Sequence, residues 1–273
     1  MHHFTILLPP SEGKAAGGEP GRAWPQIAAD PECNSFNKLD PARRKLIAEL
    51  GRALKRPEAD LGKLFHVKDE NLAQAIASNR AILGGELLPA IQRYSGVMFD
   101  FLDYPSMPPD DRRTFDTHAL LFSGVWGLLR PTDLIPDYKL KMDASLPGLG
   151  KVSTFWKPQI NRVLNPLLAD HVVWDMLPGA HRAAWDGKAK LAARWQVKFV
   201  EEVPVKGKPG QTRLRTVSHW SKALKGALVR FLCAHHITAV DALADFTHPQ
   251  GYVYDPSQGK RGKTGGEIVF VKR

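Results

Sequence analysis

Arg130, Tyr138, Lys139 and Lys141 follow one another in one short stretch, and together they could hold an anion. Arginine presents a planar fork of donors that matches phosphate, and lysine adds point charge. The stretch that carries them, Phe122 to Asp143, opens on an apolar run, Phe122 to Leu129, in which Gly124 and Gly127 would let another backbone come close. Pro131 and Pro136 then break it, and Pro131 restricts Arg130 to extended conformations. Tyr138, Lys139 and Lys141 follow as a short strand-like run. Two readings of Arg130 stand: an arginine that fixes its turn through Asp133 or Asp137, or one that lines an anion-binding cleft with Tyr138, Lys139 and Lys141.

Two other segments offer reactive groups. Ser11, Glu12 and Lys14 sit on a loop just after an apolar run that ends at Pro9-Pro10, and a polar trio at a strand end is a common place for a site. A plain turn is the alternative, and the pattern GxxxxGK[ST] of a nucleoside-triphosphate loop is not matched. Further on, Ser221 opens the clearest helix, with Leu224, Ala227, Leu228, Phe231 and Leu232 on one face and Lys222, Lys225 and Arg230 off it. Lysines are unfavourable at a helix N-terminus, so Lys222 and Lys225 read as an anion site rather than as solvated charge. Glu12, Lys14, Arg130, Tyr138 and Lys222 are also types that acid–base or Schiff-base chemistry uses, with Ser11 beside them, and a lysine among other cations can serve as a nucleophile.

The elements that must position these groups alternate between helix and strand. Leu46, Ile47, Leu50 and Leu54 recur at helical spacing after Asp40-Pro41, and Asp69 can cap another helix. His171 to Leu177 reads as a buried strand. Trp195, Val197 and Phe199, with Thr212, Leu214 and Thr216 beyond Lys206 to Gly210, read as a β-hairpin, and Glu267 to Val271 as a last strand. This interleaving predicts an α/β-type fold, one domain over residues 1–273, with a mixed sheet surrounded by helices.

Composition bounds the partners. At 273 residues and 43% hydrophobic the chain can bury a full core, and a formal net charge of +10 draws it toward polyanions, DNA among them. No apolar stretch approaches the ~20 residues of a membrane helix, and no signal peptide opens the chain, so no membrane partner and a cytoplasmic location are expected. Cys33 and Cys233 are far apart and outside any CxxC pair, which argues for reduced thiols; no metal and no cofactor is called for.

Four blocks resemble the YaaA peroxide-stress protein family. They are Leu7-Leu-Pro-Pro-Ser-Glu-Gly-Lys14, the run FSGVWGLLRPTDLIPDYKLKM from Phe122, His219-Trp-Ser-Lys-Ala-Leu-Lys-Gly226, and the ending GGEIVFVK from Gly265 to Lys272. Within the second block Pro136-Asp137, Lys139 and Lys141 are unusual for the family, and one further block departs: across Asp175 to Trp185, DMLPGAHRAAW, the family has a serine-containing loop before an aromatic. The resemblance implies a single compact fold peculiar to the family with a helix-hairpin-helix-like element, and a monomer is expected. It also implies a cytoplasmic role in limiting oxidative damage through binding of duplex or branched DNA in a basic cleft. An enzyme is the alternative, using the same cleft for lyase or glycosidic-bond-cleaving chemistry on a nucleotide, nucleoside or nucleic acid. In either case the loops around Ser11, Arg130 and Lys222 are expected to share one cleft.

Overall fold

The computed structural model describes residues 3–208, 210–216 and 218–273, without the side chains of Ser218, His219 and Trp220. Phe4–Leu8 (β1), Ala119–Ser123 (β2) and Val172–Asp175 (β4) are buried at every position, as strands covered on both faces must be. Between β2 and β4 in the chain comes the short Gly127–Leu129 (β3), and after them Ala193–Pro204 (β5), Thr212–Thr216 (β6), Val253–Tyr254 (β7), Arg261–Gly262 (β8) and Gly265–Lys272 (β9). Among the described residues these form one mixed sheet in the order β7-β9-β5-β4-β1-β2-β3, with β6 on β5 and β8 on β9.

The strands β2, β1, β4, β5 and β9 run parallel to their neighbours, and β3, β6, β7 and β8 are antiparallel additions. The expected β-hairpin is thus present as β5 and β6, with Thr212 opposite Pro204 and Thr216 opposite Val200; Pro209 of its turn lies outside the described residues. The expected α/β fold with a mixed sheet is the observed one.

Helices cover this sheet: Asp40–Ala53 (α1), Glu58–Phe65 (α2), Asp69–Arg80 (α3), Val97–Leu102 (α4), Pro109–His118 (α5), Val152–Leu167 (α6) and Ser218–Ala234 (α7), with shorter turns between them. The helix expected from Ser221 therefore begins a turn earlier. Gly226 explains how close it lies to α4: a Cβ there would fall 2.2 Å from the Met98 carbonyl oxygen. Gly124 and Gly127 serve the close packing foreseen for the central stretch. A Cβ on Gly124 would meet the Leu140 carbonyl oxygen at 2.3 Å, and one on Gly127 (φ +72) the Trp156 ring of α6. Arg43 on α1, wholly buried, fastens the same stretch by donating to the carbonyls of Trp126 (2.9 Å) and Leu128 (2.8 Å).

Where the sheet positions a site follows from its order. The chain leaves β1 to form β2 on one side and returns to form β4 on the other, which makes the carboxyl end of β1 a topological switch point. Loops diverge there and leave a crevice. Among the described residues no helix is long and apolar enough to cross a membrane.

Candidate functional site

The crevice is a cavity of about 580 Å³. Its walls come from the loop after β1 (Pro9 to Lys14), the start of α4 (Ser95 to Phe99), the segment Tyr138 to Asp143, the loop after β4 (Pro178, Ala180, His181) and α7 (Ser221, Lys222, Lys225). Segments far apart in the chain therefore meet at one edge of the sheet.

Ser11 organises the first loop. Its hydroxyl donates to the Gly13 carbonyl and accepts from the Ser95 amide at 3.1 Å, which ties the loop to the start of α4. Behind it the buried Arg93 donates to the carbonyls of Ala15, Gly17 (2.9 Å) and Glu86 (2.8 Å), fixing the path of the chain beyond Lys14. Lys14 then turns inward. Its ammonium lies 4.2 Å from the centre of the Tyr138 ring and 5.7 Å from that of Tyr94, and donates to the Ser11 carbonyl at 3.4 Å. Burial pushes its pKa down to about 8 against the pull of Asp137.

The cations of the central stretch arrive beside this loop. Lys141 stands 3.1 Å from the Glu12 carboxylate, and Lys139 donates to the Glu12 carbonyl at 3.3 Å. The hydrogen bond from Lys141, with the further charges of Lys139 and Lys222, holds the Glu12 carboxyl below its usual range. The strand-like run expected at Tyr138 to Lys141 forms no strand pairing among the described residues. Asn79 of α3 takes the place of a neighbour, donating to the Lys139 carbonyl at 2.8 Å and accepting its amide at 2.9 Å. Tyr138 itself is buried, its hydroxyl bonded to Ser123 at the end of β2 (2.7 Å) and to Tyr94 (2.8 Å). Desolvation raises both phenols, Tyr94 to about 12, so at neutral pH both stay protonated and Tyr138 gives Lys14 a ring to rest on, not a base.

The opposite wall holds Lys225, which donates to the Met176 carbonyl at 2.7 Å and is likewise lowered to about 8 by burial. Nearby, the fully buried Asp175 receives Arg182 (3.0 Å) and Arg194 (2.8 Å), an ion-paired cluster that anchors the loop after β4. His181 on that loop is brought down to about 4 by burial, so its imidazole is neutral.

The structure thus brings together Ser11, Glu12, Lys14, Tyr138, Lys139, Lys141, Lys222 and Lys225, and leaves out Arg130 and Arg230. Arg130 follows β3, which runs antiparallel to β2 with Leu129 opposite Leu121, so the chain has been carried back to the far edge of the sheet. There its guanidinium donates to the Thr117 carbonyl and its amide to Asp133 at 2.9 Å. The contact with Asp133 is thus made by the Arg130 backbone, while its side chain reaches the Thr117 carbonyl. Arg230 sits further along α7 and clamps the turn after α4, donating to Ser106 Oγ at 2.8 Å and the Asp103 carbonyl at 3.1 Å. Sequence reading missed Ser95, Phe99 and His181; the Ser95-Gly96 pair before a helix is a signal for the first two, while a single histidine gives none. Among the described residues no group of three or more His, Cys, Asp or Glu is placed to hold a metal ion.

The family described as peroxide stress protein YaaA matches residues 4–258. A UPF0246 protein of Streptomyces coelicolor is 35% identical over 231 residues, covering 85% of this chain and 83% of its own. Others from Corynebacterium glutamicum (32% over 250 residues; 88% and 91% covered) and Corynebacterium efficiens (28% over 262 residues; 94% and 97%) align across most of both chains. With the match running from β1 through the cavity segments to beyond β7, the chain belongs to the YaaA peroxide stress protein family.

Proposed function

We propose that this protein serves peroxide defence in the cytoplasm by binding DNA, duplex or branched, at the basic rim of the cavity. The carrying observation is that Lys139, Lys141 and Lys222, from two distant segments, converge on one rim with Glu12 as the carboxylate among them. Binding of phosphates by lysines suits a sequence-independent partner. Two neighbouring features support the reading. Lys206, Lys208, Arg213 and Arg215 are exposed on the β5–β6 arm, which leads through Thr216 into the cavity wall. The pair α2 and α3, joined by a short turn in which His66 takes φ 55, is where the helix-hairpin-helix-like element that the resemblance implies would lie.

Fluorescence anisotropy on unrelated duplexes tests this. Affinity should fall steeply between about 50 and 200 mM salt, and the triple variant Lys139→Ala/Lys141→Ala/Lys222→Ala should flatten the log–log salt slope by roughly 2–3, about 0.9 for each phosphate no longer neutralised. A slope unchanged in the variant, or binding indifferent to salt, would reject it.

A second reading, catalysis, is favoured by Lys14: an amine in the cavity wall, resting on tyrosine rings, with a pKa near its working range at about 8. Such an amine can add to the aldehyde of an abasic sugar and lose water to give an imine, the first step of a lyase. Borohydride reduction in the presence of abasic DNA should then leave a stable adduct mapped to Lys14 by mass spectrometry and missing in Lys14→Met. No adduct would leave the cleft a binding site.

A further inference from the structure

We infer that the cavity receives one nucleotide unit, its phosphate at Lys139, Lys141 and Lys222 and its heterocycle against the apolar interior formed by Met98, Phe99, Leu140 and Met142. The inference deepens the DNA reading and rests on it only for where the nucleotide comes from. Volume decides the size of the guest: about 580 Å³ lies in the range of small-molecule sites and cannot admit a double helix. Polarity decides its chemistry. Lys139, Lys141 and Lys222 stand at the rim and Lys14 and Lys225 reach further in, whereas Met98, Phe99, Leu140 and Met142, all nearly inaccessible to bulk solvent, give the interior an apolar wall. A ligand matching both has an anionic end and a flat, largely apolar end.

The loop after β4 adds a polar group to the wall. His181 lines the cavity, and its Nδ1 is buried with no hydrogen-bond partner among the described residues. Buried N–H groups are orphaned more rarely than buried acceptors are left unpaired. The proton accordingly belongs on Nε2. His181 then offers a neutral N–H donor, suited to a ring nitrogen or carbonyl on a base edge, at a point where full charge would be costly against the heterocycle.

The same chemistry has two sources, a free mononucleotide and a nucleotide turned out of a DNA strand, and unstacking a base costs least where it is unpaired. Titration calorimetry with dAMP and with deoxyadenosine addresses the first, and duplexes carrying 2-aminopurine opposite an abasic site address the second. The wild-type protein is expected to bind dAMP at least 10-fold more tightly than deoxyadenosine, or to change 2-aminopurine fluorescence on binding, and whichever responds identifies the source. Val97→Trp and Ala180→Trp fill the cavity from opposite walls at partly exposed positions, so that one serves if the other folds poorly. Either should abolish the response at least 10-fold while anisotropy on ordinary duplex stays within about 3-fold. Neither dAMP binding nor a 2-aminopurine change, with duplex binding intact, would overturn the nucleotide pocket and leave the DNA reading standing; a response that survives both filled variants would overturn it as well. Loss of duplex binding in the unaltered protein would instead defeat the DNA reading.

Discussion

At the scale of single residues, cations of the same type have been given different work by their surroundings. Arg130 and Lys14 were equivalent candidates by sequence, yet one is held at the far edge of the sheet and the other is folded into the cavity. Arg130→Ala should therefore destabilise the fold by about 1.5–3 kcal/mol, the scale of a charged hydrogen bond, and leave DNA affinity unchanged. Urea unfolding and anisotropy on the same preparation separate the two effects, and a loss of affinity at unchanged stability would return Arg130 to the site. Lys14 gives a prediction with a sign. Its folded pKa of about 8 lies below the ~10.4 of a free lysine, so between these values the unfolded chain holds more protons and stability rises with pH. Below pH 8 the buried charge counts against folding. Lys14→Met should gain on the wild type at pH 7, and the gap should close by pH 10. A gap that stays constant across that window would mean the ammonium is as well solvated folded as unfolded.

At the scale of elements, much of the architecture could be read from periodicity, and the failures have a common cause. The stripe Leu46, Ile47, Leu50 found α1, the run from Leu224 to Leu232 found α7, and the all-buried β1 and β4 were legible as apolar runs ending at prolines or polar residues. Strand direction was not legible. A three-residue antiparallel β3 reverses the chain, so that a cation following an apolar run emerged at the wrong edge, and nothing local in Gly127 to Arg130 encodes that reversal. The Tyr138 to Lys141 run misled in the same way, since Asn79 supplies the hydrogen bonds a strand neighbour would have given. Whether α7 is what positions the rim can be tested at Gly226, which sits against the α4 backbone. Gly226→Ala must push α7 off α4, costing about 1–3 kcal/mol as overpacking does, and it should weaken DNA binding by moving Lys222 and Lys225 together. Reduced thermal stability with full affinity would show that the rim does not depend on this packing.

At the scale of the whole molecule, the distribution of charge sets how the protein responds to acid. The chain already carries a formal net charge of +10 with its ten histidines neutral, so each imidazole that gains a proton adds to self-repulsion. Several imidazoles are also built to stay neutral. His118 and His171 sit at the amino edge of the sheet, Nδ1 of the first 2.8 Å from the Phe4 carbonyl and that of the second 2.8 Å from Thr5 Oγ1, and burial together with Arg130 and His3 lowers both. His181 is lowered further, to about 4. In the unfolded chain these rings titrate near 6.5, so as pH falls below that value the unfolded state takes up protons that the folded state refuses. Stability contributed above pH 6.5 is thus lost progressively on the way down to about 4. The urea midpoint should accordingly drop between pH 7 and pH 5, and the drop should be shallower in His118→Gln, whose amide can still donate to the Phe4 carbonyl without titrating. A midpoint that is flat or rises across this interval would show that the buried imidazoles accept protons as readily in the fold as outside it.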